Sequence, residues 1–281
     1  MKFRKLIIVL IGIAVFAALT YYNAFYVNPH QLKVREEYIN NTKLDESFDG
    51  FTIVYFSDLH YGVIDDDYLN ETVNKINMFD PDLILFGGDL VDHYSNNLLN
   101  DEKRVILTTA LKSLEAKYGK FAVLGNHDLD SENTKNAITN ILNDADFEVL
   151  TNESIDIYND SGASFNLIGI DSLSLGNPDI NVAFQNVDEN SFNLAICHTP
   201  DIFDDIPSYN DYLLAGHSHG GQVYLSFLTS LYTPFGSKNY YHGKYHHDSS
   251  VLDVTNGVGM TNKSIRLNAD AEIVVYQLMS H

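Results

Sequence analysis

The sequence predicts an α/β sandwich in a single domain, standing behind one apolar helix at the N-terminus. Three observations carry that expectation. Short apolar runs alternate with amphipathic stretches in the first half of the body, strand-like runs follow one another at short spacing in the second half, and an uncharged apolar run opens the chain. At 281 residues and 45% hydrophobic, the chain fits one compact body after the N-terminal segment.

Lys2, Arg4 and Lys5 precede the apolar run 6–22. At about 1.5 Å per residue this run falls short of a hydrocarbon core of roughly 30 Å, unless Lys5 snorkels and the helix continues toward Tyr26. Tyr21, Tyr22 and Tyr26 would then stand at an interface. A membrane anchor over residues 1–27 is the expectation, with a cleaved signal peptide as the alternative; no Ala-x-Ala site follows the run. The three cations place the N-terminus in the cytoplasm and the body outside it, or the body is secreted if the segment is cleaved. Residues 28–48 read as a juxtamembrane linker whose first stretch pairs as an edge strand, and residues 49–281 as the domain.

Within the domain, apolar runs bounded by polar or glycine punctuation predict strands over 51–56, 83–86, 121–124, 165–170, 192–197, 212–215, 222–225, 251–254 and 273–278. Helical periodicity predicts helices over 66–78, 102–118 and 134–144. The strand-helix-strand order implies parallel pairing in the first half and a mixed sheet in the second.

Lys and Arg number 17 against 38 Asp and Glu, a formal charge of −21, and no Lys or Arg occurs between Lys135 and Lys238. No broad cationic surface is available over that stretch, so nucleic acid is not an expected partner. The single cysteine, Cys197, excludes an intramolecular disulfide.

Five short strings carry chemistry, four of them beginning where a predicted strand ends: Asp58-Leu59-His60, Gly87-Gly88-Asp89-Leu90-Val91-Asp92, Gly125-Asn126-His127-Asp128, His198, and Gly216-His217-Ser218-His219-Gly220-Gly221. Open α/β sheets place their sites at strand C-terminal ends. In an extended chain residues i and i+2 project to one side, so Asp58 and His60 are expected to serve one ion together. Two Asp, one Asn and four His form a mixed oxygen and nitrogen set suited to Mn, Fe or Zn. Seven ligands exceed one ion's needs, whereas a pair of ions about 3.5–4 Å apart and sharing the Asp89 carboxylate uses them all. Each string alone is weak; all five, in one order and at strand ends, are not a chance pattern.

Together these strings, with the longer runs 81–92 and 216–222 and a tail from Gly257 and Gly259 through Arg266 to Glu272 and Ile273, resemble the calcineurin-like metallophosphoesterase superfamily from about residue 51 to 278. Within it the chain resembles the bacterial membrane-associated branch related to UDP-2,3-diacylglucosamine diphosphatases. The resemblance implies a four-layer α-β-β-α sandwich of two mixed sheets. It implies that Asp58, His60 and His219 hold one metal, that Asn126, His198 and His217 hold the other, and that Asp89 bridges. It further implies that a hydroxide between the metals attacks phosphorus, and that His127, held by Asp92, bonds the phosphoryl group or protonates the leaving oxygen.

Two departures narrow the substrate. Asp92 stands where purple acid phosphatases carry a metal-binding Tyr, and His93 stands where phosphoprotein phosphatases carry a phosphate-clamping Arg. Further contacts are expected from His93, from Tyr241, His242 and Lys244 in a rim loop over 240–247, and from Arg266. The expected function is two-metal hydrolysis, at the outer face of a membrane, of a lipid-linked, nucleotide-sugar or envelope phosphoester. Its partner is therefore a phosphoester small molecule or lipid head group. The alternatives are a non-catalytic scaffold, which would carry eroded ligands, and a nuclease or phosphodiesterase of the same fold.

Overall fold

The computed structural model describes residues 2–92, 100–225, 233–261 and 263–281. Helix α1, Lys2–Tyr22, continues as a π-helical stretch, Asn23–Val27, and a 3-10 turn, Asn28–His30. The continuation supplies the length that 6–22 alone lacked. Between Phe3 and His30 an 18-residue window reaches a mean hydropathy of 2.2, and α1 leaves its side chains exposed, so this helix is long and apolar enough to cross a membrane by length and composition. Ala24 and Pro29 are buried, where the helix meets the body.

The body then runs through β1 (Leu32–Asn40), β2 (Thr52–Phe56), α2 (Asp66–Asn77), β3 (Leu83–Phe86), α3 (Asp101–Lys112), β4 (Lys120–Ala122), α4 (Glu132–Asp144), β5 (Phe147–Val149), β6 (Glu153–Tyr158) and β7 (Ser164–Ile170). It continues through α5 (Ile180–Ala183), β8 (Asn193–Cys197), β9 (Tyr212–Ala215), β10 (Gly243–His247), β11 (Ser250–Val254) and β12 (Ala271–Met279). Two six-stranded mixed sheets result, in the orders β1-β12-β2-β3-β4-β5 and β10-β11-β9-β8-β7-β6.

Alternation along the strands builds the layers. Val54, Phe56, Ile84 and Phe86 face α2, α3 and α4 through Leu69, Val73, Leu107, Leu111, Ile138 and Ile141. Their neighbours Ile53, Tyr55, Leu83 and Leu85 meet Phe165, Leu167, Leu194, Ile196 and Leu214 of the second sheet. On the far side Ile168, Ala195, Leu213 and Val254 are covered by Ala183, Phe184, Ile202 and Phe203. The outer layer there is thin: the four-residue α5 and a 3-10 turn, Pro200–Asp204.

The anticipated edge strand is β1, nine residues parallel to β12, so the segment 28–48 contributes to the first sheet as well as joining the domain to the helix. Arg35 fastens it, bonding Asp253 at 2.9 and 3.0 Å and Glu272 at 3.3 Å. Three other expectations need correction. No strand forms over 222–225; Val223 makes only a bridge to Leu267, because Gly220, Gly221 and Gln222 at φ 57°, 76° and 55° coil the chain where a strand would begin. The helix predicted over 102–118 stops at Lys112, where Asn77 takes over two backbone groups, donating to the Ser113 carbonyl at 2.7 Å and accepting from the Glu115 N–H at 3.1 Å. The rim loop 240–247 is in its second half a strand, β10.

Candidate metal centre

Five strands deliver the site from their C-terminal ends. Asp58 and His60 follow β2, Asp89 and Asp92 follow β3, Asn126 and His127 follow β4, His198 follows β8, and His217 and His219 follow β9. The local geometry differs from the extended one expected for Asp58 and His60. Both are left-handed, at φ 56° and 46°, as are Asp89 at 58°, His217 at 70° and His219 at 52°. Such backbone costs roughly 1 kcal/mol or more per residue and persists where surrounding bonds over-determine it. Here the Asp58 N–H donates to the Gly88 carbonyl at 2.8 Å, His60 to Asp89 at 3.1 Å, and Gly259 to Asp58 at 2.7 Å. Two glycines permit the close approach: a Cβ at Gly216 would overlap the Asp58 carboxylate, and one at Gly125 the Asp89 carboxylate.

All seven groups predicted as ligands meet. Asp58, His60 and His219 form one cluster, and Asp89, His198 and His217 a second, each with ligand atoms within 4.8 Å of one another. The Asn126 Oδ1 lies 3.2 Å from His198 Nε2. Asp89 is central: its Oδ2 stands 3.2 Å from His198 Nε2 and 3.7 Å from His60 Nε2.

Tautomers are set from behind. His198 Nδ1 is 2.8 Å from the Gly87 carbonyl and His217 Nε2 is 2.9 Å from that of Phe235, so each donates its proton outward and turns its other nitrogen to the centre. Those inward nitrogens approach to 3.1 Å. His60 and His219 bring their Nε2 atoms to 3.0 Å, while the Nδ1 of each is buried without a hydrogen bond. Converging lone pairs beside carboxylates fit a cation of the Mn, Fe or Zn class.

For three of the four histidines protonation agrees with that fit. Burial, with His219 close by, lowers the His60 pKa to about 3, and burial with His198 close by lowers that of His217 to about 4; His219, buried as well, lies well below the usual range. These imidazoles are neutral at neutral pH. Burial disfavours charge on His198 too, but Asp89 outweighs it and lifts the pKa to about 9. Burial likewise opposes the Asp89 carboxylate, which His198 nevertheless holds well below the ordinary range.

Asp92 and His127 are adjacent to this centre. Asp92 shares a cluster with His60 and His127, its Oδ2 lying 3.7 Å from His60 Nδ1 and accepting from the Thr261 hydroxyl at 3.4 Å. The His127 N–H donates to Asp89 Oδ1 at 2.8 Å. Asp89, Asn126, His127, His217 and His219 line a cavity of about 630 Å³, completed by Val223, Pro234, Thr261, Lys263 and Ile265 among others.

The weaker expectations fare differently. His93 lies outside the described residues. Arg266, expected to meet an anion, is completely buried, and its guanidinium donates to the carbonyls of Asn256, Gly257, Gly259 and Ala269. It shapes the loop in which Gly257 packs on Asp58. Lys244 pairs with Glu37 at 2.8 Å and, with His242, lines a separate cavity. His242 stacks on Tyr224 and bonds Asn256, and the Tyr241 carbonyl accepts from Ser218 Oγ at 2.7 Å. None of the four lines the metal-site cavity.

Two residues escaped sequence reasoning. Lys263 carries no motif. Asp128 does lie in a singled-out string, and its place beside His127 was the available signal. Its buried carboxylate accepts from the N–H groups of Asp89, Leu90 and Gly125 at 2.8 to 2.9 Å, welding the loop after β3 to the loop after β4. Asp128→Ala leaves three buried donors unpaired and is expected to cost about 3 kcal/mol or more, read as a fall in urea midpoint at unchanged slope. A variant as stable as the parent would remove Asp128 from this role.

A two-sheet α/β sandwich crowned by paired histidine and carboxylate clusters defines a metal-dependent phosphoesterase that uses two divalent ions. The chain belongs to the calcineurin-like phosphoesterases, whose family model matches residues 51–221. It is 33% identical over 261 residues to the uncharacterized metallophosphoesterase YkuE of Bacillus subtilis, covering 92% of this chain and 89% of that one. YkoQ of the same organism, another uncharacterized metallophosphoesterase, is 30% identical over 80% of this chain and 83% of its own length. Phosphodiesterase YaeI of Escherichia coli is 29% identical, over 82% of each.

Proposed function

We propose that the protein hydrolyses a phosphoester at the outer face of a membrane. Asp58, His60 and His219 would hold one divalent ion, Asn126, His198 and His217 the other, with Asp89 shared. The single observation that carries this reading is the convergence of all seven groups, as two adjoining clusters about Asp89, at the floor of a cavity. Bound there, the ions would supply Lewis acidity, acidifying water and countering charge on phosphoryl oxygens. The chain's own residues do the rest. Gly87 and Phe235 carbonyls aim His198 and His217, Asp128 fixes the loop that carries Asp89, and His127 faces the cavity where it can hydrogen-bond the phosphoryl group or protonate a leaving oxygen. Asp92, in one cluster with His127, orients that ring.

The apolar helix supports a substrate held near the bilayer: a lipid-linked, nucleotide-sugar or other envelope phosphoester, of the kind handled by UDP-2,3-diacylglucosamine diphosphatases. The name of the Escherichia coli relative supports including diesters. The manganese-loaded chain is expected to hydrolyse p-nitrophenyl phosphate or bis-p-nitrophenyl phosphate and to lose that activity on chelation. Activity on neither ester, or activity indifferent to chelator, would count against the reading.

Membrane attachment makes its own prediction. The full chain is expected to remain with membranes through alkaline carbonate, and a protease added outside intact cells is expected to reach the body but not the N-terminus. Release by carbonate would argue against a spanning anchor.

A further inference from the structure

The mechanism leaves one cation in the cavity without a task. In the described body, lysine ammonium groups are mostly matched: Lys33 with Asp270, Lys43 with Asp211, Lys75 with Glu71, Lys103 with Asp66, Lys117 with Asp160 and Lys244 with Glu37. Lys263 is exposed on the wall of the metal-site cavity, and its Nζ makes no hydrogen bond or ion pair among the described residues. Among the described residues no other lysine or arginine lines that cavity. In a chain of formal charge −21, a lysine without a carboxylate partner beside a phosphate-processing centre is a specific feature.

Its mounting is built. The Gln222 side chain holds the Lys263 segment from two sides, accepting from the Thr261 N–H at 2.9 Å and donating to the Lys263 carbonyl at 3.5 Å. Gln222 itself closes the glycine-rich turn that carries His217 and His219. On the other side Arg266 is locked by buried carbonyls, and its N–H donates to the Ala24 carbonyl at 3.0 Å. Lys263 is thus tied to the ligand loop at one end and to the foot of the N-terminal helix at the other. The cavity, at about 630 Å³, is of a size that takes a drug-sized ligand, far more than one phosphate.

We propose that Lys263 is a specificity-determining residue that binds a second anionic group of the substrate, apart from the phosphoryl group under attack. The substrate class is then a molecule with two phosphate-like charges, such as a diphosphate or a bisphosphorylated head group. This rests on the phosphoesterase reading above.

The test uses methylphosphonate and a series of α,ω-alkanebisphosphonates with spacers of increasing length. Binding to the full chain, in detergent with added manganese, is measured by calorimetry and as inhibition of p-nitrophenyl phosphate hydrolysis. At one preferred spacer the bisphosphonate is expected to bind about tenfold or more tighter than methylphosphonate. Lys263→Ala should bring that ratio close to one, and Lys263→Arg should retain most of it. A ratio near one at every spacer in the parent chain, or a ratio that survives Lys263→Ala, overturns the proposal. Failure of the phosphoesterase reading shows separately, as absent hydrolysis, while calorimetry still decides the role of Lys263.

Discussion

Asp89→Asn is expected to lower kcat/KM on p-nitrophenyl phosphate by about 10³-fold or more while leaving the fold intact. The amide has nearly the carboxylate's shape, and its Oδ1 can still accept from the His127 N–H that Asp89 now binds at 2.8 Å. What it removes is the negative charge at the one point that both clusters face, within 3.2 Å of His198 and 3.7 Å of His60. The two clusters then lack their shared counter-charge, and four convergent histidines cannot replace it. Circular dichroism and thermal unfolding report the fold, and steady-state kinetics the loss. An Asp89→Asn variant within tenfold of the parent would mean that the carboxylate is not shared between the two clusters.

Replacing His127 by Gln is expected to discriminate between leaving groups. The ring lies on the cavity wall, and its backbone is pinned to Asp89, so the substitution alters the reacting end without moving the loop. An alkoxide leaves poorly unless it is protonated, whereas p-nitrophenolate leaves readily. On an alkyl phosphoester kcat should fall by roughly 10²- to 10⁴-fold, and on the p-nitrophenyl ester by about tenfold. Equal losses on both esters would assign His127 to binding the phosphoryl group and remove it as the proton donor.

The parts of the molecule that were legible in the sequence share a physical cause. Leu83–Phe86 and Tyr212–Ala215 fall where predicted because strands buried on both faces write themselves as continuous apolar runs. The site strings stand out because glycine and metal-ligand residue types coincide at the ends of such runs. The two edge strands of the second sheet were illegible for the converse reason. β6 alternates only at Ile155 and Ile157 and β10 carries no aliphatic residue, and each exists through its antiparallel partner. The left-handed backbone at Asp58 and His60 was hidden because hydrogen bonds to the Gly88 and Asp89 carbonyls and from the Gly259 N–H, all distant in sequence, impose it. Arg266 and Lys263 show the limit most clearly. An arginine and a lysine three residues apart look alike as anion contacts, yet convergent carbonyls bury the first and the cavity leaves the second open. Nothing local distinguishes them.

The most direct test of the two-cluster site is the number of metal ions that it holds. The full chain, stripped with chelator, reloaded with manganese and freed of excess, should carry two ions per chain by inductively coupled plasma mass spectrometry. Asp58→Ala should carry one, because the cluster of His198, His217 and Asn126 is left whole. A parent chain that retains no ion, or only one, would contradict the account.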